Sequence, residues 1–190
     1  MIDHIIDIDK RLFIFLNNLG SEKWDFLWLF FSNNIVMFSF ITFIIVVHCY
    51  EFEIKKWGTL ILFFVICVGL TDFLHVQLFK NLFMRLRPCH EDGVCEYIRY
   101  LEEVDCGGYY GFISGHASNS AAMVTFLLLA FTNIRKFFRY ILVFWVLLVS
   151  YSRIYLAKHY PFDVVFGILF GCLMGLVIFK TYNVYFNKYR

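Results

Sequence analysis

Apolar residues along this chain fall into long unbroken runs, and the polar residues collect at the ends of those runs. Five runs approach the roughly 20 residues that a helix needs to cross a hydrocarbon core. They cover about Trp28 to His48, Gly58 to Phe79, Ala117 to Ile134, Phe137 to Tyr155 and Phe162 to Lys180. Residues 1 to 27 are patterned differently, with Ile2, Ile5, Ile6, Leu12, Phe13, Phe15 and Leu16 forming an apolar set among charged positions. That amphipathic pattern predicts a helix lying in the interface, or a sixth, partial crossing. The expected fold is therefore all-α: a polytopic membrane helix bundle of five or six transmembrane helices with an N-terminal interfacial helix. With no repeat, low-complexity segment or linker, residues 1–190 read as a single domain.

Composition strengthens the membrane reading. The chain is 61% hydrophobic with a mean hydropathy of +0.68, above the roughly one-half apolar content of a soluble domain. A net charge of +2 without a basic run argues against a nucleic-acid partner and leaves the bilayer and a membrane lipid. The N-terminus, MIDHIIDIDKRLF, lacks the basic start, apolar middle and small-residue cleavage site of a signal peptide, so insertion is expected to use the spans themselves.

Charge and parity predict the same topology. Lys55, Lys56, Arg135, Lys136, Arg139, Lys180, Lys188 and Arg190 collect in two short joints and the C-terminal tail. Residues 81–113 instead set Arg85, Arg87 and Arg99 against Glu91, Asp92, Glu96, Glu102, Glu103 and Asp105. Basic joints face the cytoplasm, which places the long loop outside. Five spans then bring Lys80, His116 and His159 to that same outer face. The expected location is the inner membrane of a bacterium, with the site on its periplasmic or extracellular side and the C-terminus in the cytoplasm.

Three short stretches carry the chemistry. Lys80-x6-Arg87-Pro88 supplies two cations; Arg offers a planar, bidentate fork to phosphate oxygens, and Lys a point charge. Seven residues is about two helical turns, so a continuous helix would point both the same way. Ser114-Gly115-His116 opens the third run, where backbone N–H groups and the helix dipole favour an anion. Ser152-Arg153-x5-His159-x3-Asp163 adds a third cation and a histidine four residues before a carboxylate. That carboxylate can hold one ring nitrogen and leave the other free as a nucleophile. Taken singly, each has a plainer reading: a snorkelling anchor at a span end, a helix cap, or an ion pair at a span boundary.

Taken together, the three resemble the signature of the type 2 phosphatidic acid phosphatase superfamily, which includes membrane lipid phosphatases and soluble vanadium haloperoxidases. The family pattern K-x6-R-P, P-S-G-H and S-R-x5-H-x3-D is matched in order over residues 80 to 163, except that Ile113 stands where the pattern has proline. The resemblance implies that His159 attacks phosphorus to form a phosphohistidine. Asp163 would orient it, and His116 would protonate the leaving oxygen. Lys80, Arg87, Ser114, Gly115 and Arg153 would bind the phosphoryl oxygens. No metal or other cofactor is implied. The implied activity is that of a phosphoric ester or anhydride hydrolase acting on a membrane lipid. Undecaprenyl pyrophosphate, phosphatidylglycerol phosphate, phosphatidic acid and a lipid A phosphate are the candidate substrates, with a polyprenyl diphosphate as the leading expectation.

Two other readings stay open: a non-catalytic lipid-phosphate binding or transport protein on the same scaffold, and an unrelated transporter using Asp72 and His75 inside the second run as a relay. A structural hydrogen bond is the plainer role for that pair, and Arg85 reads as structural or peripheral. Asn119 and Ser120 either line the site or pack between helices. Gly167, Gly171 and Gly175 continue the Asp163 face of the fifth run at a spacing of four, a pattern that lets helices approach closely. Among the cysteines, Cys49, Cys67 and Cys172 suit apolar packing. In the outer loop a bridge from Cys89 to Cys106, leaving Cys95 unpaired, would tie the first motif to the segment before the second. Oligomeric state is left open.

Overall fold

The computed structural model describes residues 2–49, 54–101, 104–131 and 134–188; Glu102, Glu103 and Arg190 lie outside them. The described residues form helices joined by one ordered loop, with no strand beyond a single bridge between Leu86 and Tyr110. Helix α1 covers Ile2–Asn18, α2 Glu22–Ser32, α3 Asn34–Cys49 and α4 Ile54–His75. A π-helical turn, Val76–Lys80, continues α4 into the short α5, Asn81–Phe83. Helices α6, Gly115–Ala130, α7, Lys136–Tyr155, and α8, Pro161–Lys188, complete the bundle.

Three of these elements are long and apolar enough to cross a membrane: Trp57–Phe83, Lys136–Tyr155 and Pro161–Tyr185. The first apolar run is not one straight helix. It breaks at Asn33, where α2 and α3 meet at a 60° bend, so the pair would count as one broken span. The break has a local cause. The Asn33 carboxamide oxygen accepts from the backbone N–H groups of Ile35 at 2.8 Å and Val36 at 3.4 Å, capping a new helix. Residues 1–27 likewise do not make one helix, because α1 stops at Asn18 and α2 begins at Glu22.

Helix α6 is shorter than its apolar run, ending at Ala130, with Phe131 already extended. It can be short because it is the central helix. Ala117, Ser118, Ala121, Ala122, Met123, Phe126 and Leu127 are all buried. Around it, Met37 and Ile41 of α3, Leu60 and Cys67 of α4, Leu142 and Val149 of α7 and Met174 of α8 complete the core. Large apolar residues such as Phe43, Val65, Phe73, Phe144 and Leu173 are exposed on the outside of the bundle, as a lipid-facing surface requires.

Helix α8 packs on α6 through the Gly167, Gly171 and Gly175 stripe. A Cβ at Gly175 would lie 2.6 Å from Ala122 O, one at Gly167 2.8 Å from Ser114 O, and one at Gly171 would collide with Ser118 O. Backbone touches backbone along this seam, which fixes the height of Asp163 against Ser114.

Helix α1 is fastened from the other side. The Asn17 amide donates to Tyr155 O at 2.9 Å and Ile154 O at 3.2 Å, satisfying carbonyls at the end of α7. Phe13 meets Tyr160 edge-on at 5.2 Å. The loop between α5 and α6 is closed by a disulfide between Cys89 and Cys106, 17 residues apart in sequence.

Gly171→Ala should therefore lower the thermal midpoint in detergent, at a cost of about 1–3 kcal/mol from overpacking. Gly58→Ala, with nothing within 4 Å of the added methyl, should leave the midpoint unchanged or slightly higher. Equal midpoints for the two variants would show that the α6–α8 seam can open at little cost.

Candidate active site

The three motifs meet at the end of the bundle where α4 finishes and α6 and α8 begin. Lys80 closes the π-helical turn. The helix does not carry on to Arg87: Met84 takes a left-handed conformation with φ 45°, and Arg87 is extended before Pro88, as a residue preceding proline prefers. A turn, rather than two helical turns, thus brings Lys80 and Arg87 onto one cavity wall. Arg87 is held by the loop. Its backbone N–H donates to Tyr109 O at 2.9 Å and its Nη1 to Cys106 O at 2.5 Å. The disulfide therefore tethers the carbonyl that aims the guanidinium. Gly107, at φ 79°, is needed beside it, since a Cβ there would sit 2.8 Å from Arg87 Nη1.

Ser114 caps α6, with its hydroxyl facing Ala117 N at 3.5 Å and its carbonyl accepting from Ser118 N at 2.9 Å. It is fully buried and lies behind the cavity wall, so the helix cap is its visible role. Gly115 leaves room for His75, whose Nε2 would lie 2.8 Å from an added Cβ. His116 reaches the cavity, with Nε2 3.0 Å from Ser32 O.

Beyond α7, Ala157 adopts φ 55° and the chain turns back, with the N–H groups of Lys158 and His159 donating to Arg153 O at 2.9 and 3.2 Å. This turn sets His159 at the start of α8, in the region where Pro161 tolerates the first helical position. His159 Nδ1 lies 3.7 Å from Asp163 Oδ2 and has no hydrogen-bond partner among the described residues. That distance is an ion-pair approach, longer than a hydrogen bond. A Cβ at Gly111 would lie within 3.6 Å of Arg87, Asp163 and His159 at once, which shows how closely the three converge. Burial, and then the charges of Arg87, Arg153 and Lys80, hold the His159 imidazole well below its ordinary pKa, so it is neutral at physiological pH. Burial and the neighbouring Arg153 and Arg87 also bring Lys158 down to about 8.

One cavity of about 490 Å³ gathers Lys80, Arg87, Gly115, His116, Arg153 and His159. Asp163 stands behind His159, fully buried. Its Oδ1 accepts from Arg85 Nη1 at 2.8 Å, its Oδ2 from Tyr160 N at 3.0 Å, and its backbone carbonyl from Ser114 N at 2.9 Å.

The structure also brings in residues that the motifs do not contain. Arg85 is not peripheral: its second nitrogen donates to Asp9 Oδ2 at 2.7 Å, and its guanidinium stacks over Tyr160 at 4.1 Å. Asp9 is fully buried on α1 and accepts from Phe162 N at 2.9 Å. Ser32, at the α2–α3 break, accepts from Arg153 through its hydroxyl and contacts His116 through its carbonyl. Asp72 and Asn119 also line the cavity, joined at 2.9 Å, whereas Ser120 is buried against Ala117 O. The proximity of Arg85 to the Arg87-Pro88 pair was an available signal, and so was the polar break at residues 32–34. Asp9 gave none. The one metal-like grouping among the described residues, Cys89, His90 and Cys106 within 4.8 Å, lies in the loop and has both sulfurs in the disulfide.

Comparison with known proteins agrees with this arrangement. A family model described as the PAP2 superfamily matches residues 57–186. The chain is 30% identical over 191 residues to a lipid A 4'-phosphatase of Porphyromonas gingivalis, covering 95% of this chain and 75% of that protein. It is 29% identical over 179 residues to a lipid A 4'-phosphatase of Bacteroides thetaiotaomicron, covering 94% and 79%. Among solved structures, Aquifex aeolicus LpxE superposes with a TM-score of 0.63 at 24% identity, covering 90% of this chain and 93% of that one. A PAP2-type phosphatidylglycerolphosphate phosphatase from Bacillus subtilis gives 0.73 at 20% identity, covering 98% and 90%. These two likenesses establish the fold. The matched region holds all three motifs and all of the cavity wall except its α3 side, and the chain belongs to the PAP2 superfamily as an integral membrane protein.

Proposed function

We propose that this protein hydrolyses the phosphate monoester of a lipid A-type headgroup through a phosphohistidine, without a metal. The observation that supports it is the convergence of a neutral, buried His159, a second histidine and three cations on one cavity. The names of the relatives favour lipid A over the polyprenyl diphosphate that is the leading expectation among substrates the motifs do not rank.

In this reading Lys80, Arg87 and Arg153 hold the phosphoryl oxygens. His159 Nε2 attacks phosphorus while Nδ1 faces Asp163, whose carboxylate stabilises the imidazolium that forms. His116 gives its proton to the leaving oxygen as the P–O bond breaks. Water then attacks phosphorus, giving its proton to His116 and restoring it; the P–N bond breaks, inorganic phosphate is released and His159 leaves as the neutral imidazole. The Nδ1 to Asp163 distance of 3.7 Å tightens on charging, as catalytic hydrogen bonds often do on going from the free site to the transition state.

The membrane arrangement belongs to the same proposal. Five crossings are counted as α2 with α3, α4, α6, α7 and α8, with α1 at the interface. On this proposal the catalytic end lies on the periplasmic face of a bacterial inner membrane and the C-terminus in the cytoplasm. The Cys89–Cys106 disulfide suits that oxidising side, and the basic joints suit the opposite one.

The direct test is phosphate release from a lipid A monophosphate by the purified protein in detergent. Activity should persist in EDTA and fall with vanadate, while His159→Ala, still folded, should lose at least about a thousandfold. Turnover near wild type in that variant, or EDTA loss restored by magnesium or zinc, would sink the proposed mechanism.

His116→Ala should slow catalysis chiefly when the leaving oxygen needs a proton. An aryl phosphate with an acidic phenol is expected to lose less than the lipid monophosphate does. Equal losses on both would remove His116 as the general acid.

For topology, a Gly108→Cys reporter in a Cys95→Ser background should react with an impermeant maleimide on cells whose outer envelope is permeable. A Lys136→Cys reporter should react only after lysis. The reverse pattern would put the site in the cytoplasm.

A further inference from the structure

Asp72 is an ionisable side chain in the middle of an apolar span, yet its side chain is 62% exposed. It lines the cavity that holds Lys80, His116 and His159. Its Oδ1 accepts from Asn119 Nδ2 at 2.9 Å, and Asn119 Oδ1 is buried without a partner among the described residues. What this pair offers the cavity is therefore an acceptor: the rest of the exposed Asp72 carboxylate, held in place by the Asn119 amide. A carboxylate accepts and never donates, so a complementary ligand group must bring O–H or N–H.

The position says which part of a ligand would meet it. Asn119 follows His116 by three residues, roughly 5 Å along α6, and on the membrane side of it. Asp72 likewise precedes Lys80 along α4, on the same inward side. His116 is the residue placed against the leaving oxygen, so the next few ångströms inward belong to the leaving group. Farther in, the wall turns apolar at Met37, Phe38 and Val68, and a second groove of about 510 Å³ shares Asn34 and Phe38 with the first. The cavity thus has three layers: cations for the phosphoryl group, one polar layer, and then apolar surface for hydrocarbon.

The geometry points to Asp72, positioned by Asn119, as a specificity subsite that takes a hydroxyl- or amide-bearing ring bonded directly to the phosphate, the chemistry of a phosphorylated amino sugar. This rests on the phosphatase reading above and deepens it. A diacylglycerol phosphate brings no donor to this layer. A polyprenyl diphosphate brings something worse, because its second phosphate would fall beside the Asp72 carboxylate and repel it. Asp72 therefore selects for one substrate class and against another with a single charge.

The rival explanation is that Asp72 serves only as a counter-ion to Lys80 and to His75, whose Nδ1 lies 3.8 Å away. The two are separated by measuring kcat/KM for wild type, Asp72→Asn and Asp72→Leu on a lipid A monophosphate, a diacylglycerol phosphate and a polyprenyl diphosphate, with a thermal melt of each protein. Wild type should prefer the sugar phosphate. Asp72→Leu should cut the ratio of sugar phosphate to diacylglycerol phosphate turnover by about 10–100-fold, as expected for loss of one or two hydrogen bonds to a charged group. Asp72→Asn, which keeps an acceptor and loses the charge, should retain most of that ratio and gain on the diphosphate. An equal loss on all three substrates, or a wild-type preference for either donor-free lipid, overturns the subsite while leaving the phosphatase reading intact. No release from any substrate by wild type would instead remove the phosphatase reading. If Asp72→Leu does not fold, the wild-type order and the Asp72→Asn ratios decide between the two explanations.

Discussion

The buried carboxylate of Asp163 is the point on which this site depends. An unpaired carboxylate out of water is prohibitively costly, and here each of its acceptor atoms is assigned. One oxygen takes Arg85 from the first motif, the other takes the backbone of Tyr160, and the carbonyl takes the Ser114 N–H of the second. Satisfying one residue therefore brings together segments 78 residues apart in sequence. Arg85 in turn is shared with Asp9, so the N-terminal helix is held by the same network. Breaking a buried pair of this kind by removing one partner costs about 3–5 kcal/mol. The carboxylate that faces His159 is thus held by an ion network that extends well outside the signature.

That network would be useless if the helices could slide. The glycine stripe of α8 sits against the carbonyls of α6 with no room for a methyl group, so Asp163 and Ser114 keep a fixed height. In lipid, where hydrophobic association between helices gives no advantage, close backbone packing is what holds such a register. Along α8 the residues that bring the helix close to α6, Gly167 onward, begin one turn after Asp163, whose carboxylate faces His159. Structure and chemistry share one helix face.

Much of this was legible in the sequence, because both signals are periodic or local. The apolar runs located α4, α7 and α8, matching α7 almost to its ends but missing the first turn of α4 and the last two turns of α8, and motif spacing named the cavity-lining Lys80, Arg87, Gly115, His116, Arg153 and His159. What escaped was set by tertiary contact. Asn33 reads as one polar residue in an apolar run until its side chain is seen to cap α3. Asp9 reads as one charge of several on an amphipathic helix until Arg85 arrives beside it. Lys80 and Arg87 do share a wall, but the left-handed Met84 makes the turn that seven-residue helical spacing had been expected to supply. Ser114 keeps its place in the motif while its hydroxyl points into the helix it caps.

The cavity itself is electrostatically unfinished. Lys80, Arg87 and Arg153 converge with two histidines, and Asp72 is the only carboxylate among the described lining residues. Like charges at this distance repel, and after burial, the larger cause, the charges of Arg87, Arg153 and Lys80 lower the His159 pKa further. Ser32 offsets part of the cost by accepting from Arg153, but a hydroxyl carries no charge. A phosphoryl group supplies what the wall lacks: spread negative charge with several acceptor oxygens. On the proposed function, a bound phosphoryl dianion would offset the mutual repulsion of these cations. Stability has been given up at the one place where the substrate can restore it.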